Sequence, residues 1–116
     1  QVAALKTIEI LERDKVLDVI AEKGNKFGAE VQKLVEESAL PIQFTGAPWM
    51  PYITFNRDPE GLYKKLRNEF YTQLIRRRVF LQPYHHGYIC YRHTDEDLAY
   101  TVQAIKESLD ELKKLV

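Results

Sequence analysis

The stretch from Ile42 to Phe55, IQFTGAPWMPYITF, limits the fold most tightly. Gly46, Pro48 and Pro51 fall between β-branched and aromatic residues, so it supports two short strands joined by an irregular loop. The sequence on both sides is helical. Val2, Leu5, Ile8 and Leu11 form an apolar stripe at three-residue spacing. Asp14 reads as the N-cap of a second helix running to about Ser38, with the stripe Val16, Ile20, Phe27, Val31 and Leu34. Gly24 and Gly28 share one face of that helix. Two readings stay open for them: close approach of a neighbouring element, or a local irregularity at GNKFG.

Pro41 ends this helical region. Beyond the two strands, Asp58 reads as an N-cap, with Pro59 at the first helical position and Glu60 in the first turn. Leu62, Leu66, Phe70 and Leu74 then mark a helix ending near Arg77. VFLQP reads as a short extended piece and HGYICYR as a strand. Thr94 followed by Asp97 predicts a capping box, and Asp95 and Glu96 suit the positive end of the helix dipole. The stripe Leu98, Val102, Ile105, Leu109, Leu112 completes the last helix. The order α-α-β-β-α-β-α implies a single α+β domain over residues 1–116: a small, mostly antiparallel sheet with helices packed on one face.

Composition excludes several classes. Seventeen Lys and Arg balance seventeen Asp and Glu, so no excess of cations is available to displace counterions from nucleic acid. The local run LIRRRVF, with Arg76, Arg77 and Arg78, reads as a solvated helix end more readily than as an anion site. A single cysteine cannot form an internal disulfide, which points to a reducing, cytoplasmic setting. No apolar run approaches the roughly 18 residues of a membrane span.

The segment YHHGYICYRHTDED, Tyr84 to Asp97, holds all three histidines and the cysteine. Strand geometry disperses them. His85 and His86 point to opposite faces, and four strand residues place His86 and Cys90 roughly 13 Å apart. Metal ligands must converge on a point about 2 Å away, so no metal site is expected. Cys90 and His93 fall on opposite faces, which opposes a thiolate–imidazole pair, and Cys90 reads as a small buried strand residue. The acidic run reads as a helix cap. Trp49 suits either a pocket wall or a sheet edge.

Taken together, AALKTIEILERDKVLDVIAEKGNKF, LPIQFTGAPWMPYITF and FYTQLIRRRVFLQPYHHGYICYRHTDEDLAYTVQAI resemble the C-terminal segment of class III aminotransferases, nearest the glutamate-1-semialdehyde aminotransferase (aminomutase) branch. The resemblance covers nearly the whole chain. It implies the small domain of a fold type I pyridoxal-phosphate enzyme, a transferase or an isomerase, that packs on a large cofactor domain of the same parent chain. The parent is expected to be a homodimer with no nucleic-acid or membrane partner.

The family's Schiff-base lysine, which makes the cofactor an electron sink, lies upstream of such a segment. No catalytic, cofactor-binding or metal-binding residue is therefore assigned, and the chain alone is expected to bind no pyridoxal phosphate and to be inactive. The resemblance implies that Gln82, Pro83, Tyr84, His85 and His86 border the substrate cleft. Gln82 stands where ω-aminotransferases can carry a carboxylate-binding arginine, and Arg78 where a glycine is expected after the helix. The chain opens on Gln1 and runs straight into helical sequence, which suggests a fragment or a processed chain. The competing class is a stand-alone α+β binding or interaction module without catalysis.

Overall fold

The computed structural model describes every residue from Gln1 to Val116. It contains helices α1 (Val2–Arg13) and α2 (Val16–Ser38), strands β1 (Ile42–Thr45) and β2 (Tyr52–Phe55), and helices α3 (Leu62–Arg76) and α4 (Asp95–Lys113). The strands pair antiparallel, with Ile42 opposite Phe55 and Phe44 opposite Ile53. Ile42, Phe44, Ile53 and Phe55 therefore share a face. That face joins the core, where Phe55 meets the rings of Phe70 and Tyr71 at 5.8 and 6.4 Å. The α+β class expected from sequence is the one observed, with α2 and α3 covering the sheet.

Helix α4 is the central strut. It packs on both α2 and α3, and Leu98, Ile105, Leu109 and Leu112 are buried between them. Leu66, Phe70 and Leu74 of α3 are fully buried as well. Burying each such side chain stabilises the fold by about 1.5–3 kcal/mol.

Helix α1 behaves differently. It touches only α2 and buries no residue. Its stripe faces outward, with Val2, Leu5 and Ile8 exposed, as is Leu17 at the start of α2.

The glycine pair of α2 serves close approach. A Cβ on Gly24 would lie 2.8 Å from both the Cα and the backbone N of Trp49. A Cβ on Gly28 would lie 2.9 Å from the Cβ of Pro48. The loop between the strands thus lies directly on the helix backbone.

Three local expectations are corrected. Residues His86–Arg92 do not form a strand. Two backbone hydrogen bonds tie this segment to the loop, Gly87 N–H to Pro51 O at 2.8 Å and Ile89 N–H to Trp49 O at 2.9 Å. Pro51 has no N–H to return to Gly87, so the ladder does not continue. Asp14 does not cap α2. Lys15 takes that place in a left-handed conformation (φ 49°), while the Asp14 carboxylate accepts from Arg13 Nε at 2.9 Å. Pro59 lies outside α3, which starts at Leu62 after Gly61 (φ 78°). Asp58 still does a cap's work from further back, its carboxylate accepting the N–H groups of Leu62 and Tyr63 at 2.9 and 2.8 Å.

The Gly24→Ala substitution tests the seat. Alanine is favoured over glycine by about 1 kcal/mol inside a free helix, but here the added methyl meets backbone that cannot swing aside. We expect a net loss of about 1–3 kcal/mol in urea denaturation. Unchanged or increased stability would refute the close packing.

Candidate functional site

The open concavity of the molecule lies between the 78–89 segment and the N-terminal half of α4. Its volume is about 570 Å³, within the usual range for ligand clefts of about 300–1,000 Å³. Arg78, Phe80, Gln82, His85, His86 and Tyr88 line one side, and His93, Asp97, Tyr100 and Thr101 line the α4 side. Gln82 and His85 also border a small, mostly apolar pocket beneath, formed with Phe44, Tyr52, Phe70 and Tyr71. Burial, and to a lesser degree the neighbouring Tyr52, pushes the Tyr71 phenol above its ordinary value, while Arg67 pulls the other way. That floor stays uncharged.

The α3 end of the cleft is anchored by Arg77. Its guanidinium bonds Glu107 of α4 at 2.8 Å and Gln73 Oε1 at 2.6 Å, and its carbonyl accepts from the Tyr100 hydroxyl at 2.8 Å. Gln103 and then Arg77 hold the Glu107 carboxyl below its usual value. Arg77 is therefore committed to structure. Arg78 follows in the left-handed region, φ 61°, where a side chain costs about 1–2 kcal/mol. The sequence-based expectation that this position suits glycine is met in conformation, though the residue there is arginine.

The other end is fixed by α2 and by the α4 cap. Lys23 Nζ donates to His93 O at 2.6 Å and to Tyr91 O at 3.0 Å. The capping box is complete: Asp97 N–H donates to Thr94 Oγ1 at 3.0 Å and Thr94 N–H to Asp97 Oδ2 at 2.9 Å. The Thr94 N–H, and next the Thr94 side chain, hold the Asp97 carboxyl below its ordinary value.

Of the five residues that the family resemblance sets at a substrate cleft, Gln82, His85 and His86 line this concavity, and Pro83 and Tyr84 lie outside its lining. The Pro83 carbonyl accepts from the Tyr52 hydroxyl at 3.4 Å, and the Tyr84 ring lies under the Arg67 guanidinium at 4.7 Å, 71% exposed. The His85 and His86 rings lie with centroids 4.3 Å apart, tilted by 34°, and His86 Nε2 meets the Tyr88 hydroxyl at 3.1 Å.

Cys90 is exposed, contrary to expectation. With no strand there, Ile89 turns inward instead and is buried. Cys90 does contact His93, but through its backbone N–H, which donates to His93 Nδ1 at 3.0 Å. No group of three or more His, Cys, Asp or Glu side chains is placed to hold a metal ion, and no helix is long and apolar enough to cross a membrane. Arg78, Phe80, Tyr88, His93, Asp97, Tyr100 and Thr101 were not foreseen as cleft residues. Arg78 carried a signal, as an arginine where glycine was expected, and His93 and Asp97 stood in the histidine-rich segment and the helix cap.

Solved structures that share this fold include pyridoxal-phosphate transaminases. The FumI protein of Sphingopyxis sp. MTA144, solved in its pyridoxal-phosphate internal aldimine form, superposes with a TM-score of 0.83 at 22% identity over 97% of this chain and 26% of its own. An ω-transaminase from Sphaerobacter thermophilus gives 0.67 at 20% identity over 82% of this chain and 24% of its own. In sequence, the chain is 76% identical over 115 residues to the 3-aminobutyryl-CoA aminotransferase of Cloacimonas acidaminovorans (strain Evry), matching 99% of this chain and 28% of that protein. Similarity to the glutamate-1-semialdehyde 2,1-aminomutase of Archaeoglobus fulgidus is 25% over 115 residues, covering 92% of this chain and 28% of that protein. No family model matches. The chain thus spans little more than a quarter of these relatives, and it matches part of the pyridoxal-phosphate-dependent aminotransferases in sequence and in fold.

No lysine lines the cleft or the pocket beneath it, so neither supplies an amine for a Schiff base.

The carboxylate caps give a pH prediction. Asp97 and Asp58 both sit below their ordinary 3.8, Asp58 through the Tyr63 and Leu62 N–H groups. A carboxylate depressed by folding stabilises the native state above its unfolded value and loses that contribution as pH falls through its folded value. Stability should hold above about pH 5 and decline below about pH 4. The Asp97→Asn and Asp58→Asn variants should flatten the decline in urea melts taken between pH 6 and 2. Thr94→Ala should cost about 1 kcal/mol at neutral pH. An acid limb unchanged in both Asn variants would contradict the assignment.

Proposed function

We propose that the chain is the small C-terminal domain of a pyridoxal-phosphate-dependent aminotransferase, packed on a large cofactor domain of the same parent chain. The observation that carries this is 76% identity across an alignment that takes in the whole cleft. The outward stripe of Val2, Leu5, Ile8 and Leu17 supports it, because an apolar face of that size needs a partner. The parent, by likeness to that relative, moves an amino group between 3-aminobutyryl-CoA or a close 3-aminoacyl thioester and an oxo acid.

The cofactor, held in the large domain, supplies the electron sink for the reaction. This chain's residues border the site. Gln82, His85 and His86 wall the cleft, with Pro83 and Tyr84 bracing them through Tyr52 and Arg67. Gln82 offers an uncharged hydrogen-bonding group to a substrate carbonyl. The parent is read as a cytoplasmic homodimer; the one cysteine of this segment, exposed and unpaired, supports the reducing compartment.

The test uses the intact protein carrying this sequence. Purified, it should absorb visible light from bound pyridoxal phosphate and transfer the amino group of 3-aminobutyryl-CoA to an oxo acid. After borohydride reduction, peptide mapping should find the pyridoxyl group on a lysine outside residues 1–116. Absence of bound cofactor, or modification confined to lysines of this segment, would refute the proposal.

A further inference from the structure

The cleft-walling role leaves Arg78 and Tyr88 of the cleft lining unassigned. Arg78 is exposed and has no carboxylate within ion-pair distance, unlike Arg77 beside it. Among the non-glycine residues with positive φ, Lys15, Ala39 and Arg78, it alone faces this cleft. A free guanidinium presents a planar fork of donors that matches phosphate oxygens. The rings of His85 and His86, 4.3 Å apart and tilted by 34°, with the Tyr88 ring edge-on to His86 at 5.1 Å, form an aromatic ledge with polar rims. Tyr88 is 60% exposed, so the ledge is open to a ligand. Asp97 is the one carboxylate lining the cleft, and its Oδ2 is engaged by the Thr94 N–H.

A free cation beside a stacking surface is the chemistry that holds a purine nucleotide: charge on the phosphates, a flat π-face on the base. We infer that this cleft binds the adenine-nucleotide end of a coenzyme A thioester, with Arg78 on its phosphates and the His85–His86–Tyr88 ledge against its adenine. The inference rests on the reading that the parent acts on such a thioester. It adds the residues that recognise the part of the substrate remote from the reacting amine.

Calorimetry on the intact protein tests it with coenzyme A, adenosine 3′,5′-bisphosphate and pantetheine as probes. Coenzyme A and the bisphosphate should bind, and pantetheine, which lacks the nucleotide, should bind at least tenfold more weakly than coenzyme A. Arg78→Gly should weaken coenzyme A and bisphosphate about tenfold, the loss of one charge-assisted contact. It should do so with Tm at or above the parent value, because glycine accepts φ 61° freely. His86→Ala should weaken the bisphosphate while leaving pantetheine unchanged. Unaltered nucleotide affinity in Arg78→Gly, or no binding of coenzyme A and the bisphosphate, would overturn the inference. A protein that aminates or deaminates the thioester yet shows unaltered nucleotide binding in Arg78→Gly sinks this inference alone. Arg78-dependent coenzyme A binding without bound pyridoxal phosphate supports the site and refutes the aminotransferase reading.

Discussion

The contact of Pro48 and Trp49 with the glycine face of α2 is the constraint on which the cleft depends. Two residues without side chains let the inter-strand loop lie against helix backbone. Held there, the loop presents the carbonyls of Trp49 and Pro51 to the Ile89 and Gly87 amides. Those two bonds fix the path of the 85–89 segment, and that path sets His85 and His86 on the cleft wall. A side chain at Gly24 or Gly28 would push the loop outward, and every later step would move with it.

The frame and the site are built from different interactions. The frame is apolar burial along α2, α3 and α4, which is dense and cooperative. The segment from Arg78 to His93 has no regular structure. It is tied at discrete points: Arg77 to Glu107 and Tyr100 at one end, the loop carbonyls in the middle, Lys23 to Tyr91 and His93 at the other. Such a segment keeps its place while exposing backbone and rings, a division of labour common at binding sites. Helix α1 stands outside both systems, resting only on α2 with its apolar stripe uncovered.

The helices were legible because burial imposes periodicity. Leu62–Leu66–Phe70–Leu74 and Leu98–Ile105–Leu109–Leu112 read as stripes in the sequence, and Leu66, Phe70, Leu74 and the whole α4 set line the core. The Thr94–Asp97 box was legible because capping is local chemistry. The third strand failed because its partner's donor is missing. Alternation in HGYICYR suggests a strand, but pairing is decided across space, where Pro51 has no hydrogen to give. The same error misplaced Cys90, since without strand parity it is Ile89 that turns inward.

Asp14 and Asp58 were misplaced by a few residues. An aspartate near a helix start is a strong local signal, yet Arg13 competes for one, and Gly61 lets the other cap from further back. Of the cleft, Gln82, His85 and His86 came from family resemblance. The contribution of Tyr100 and Thr101 depends on how α4 lies against the 78–89 segment, which no local pattern encodes. The glycine pair showed only that close approach was available. Which element approached was a tertiary fact.

The most direct test of this chain of dependence is amide hydrogen exchange at Gly87 and Ile89, compared between the native chain and Gly24→Ala. If the loop's seat on α2 positions the cleft wall, both amides lose protection in the variant while those of Ile105 and Leu109 in α4 keep theirs. Unchanged protection at Gly87 and Ile89, or loss spread evenly over α4, would contradict it.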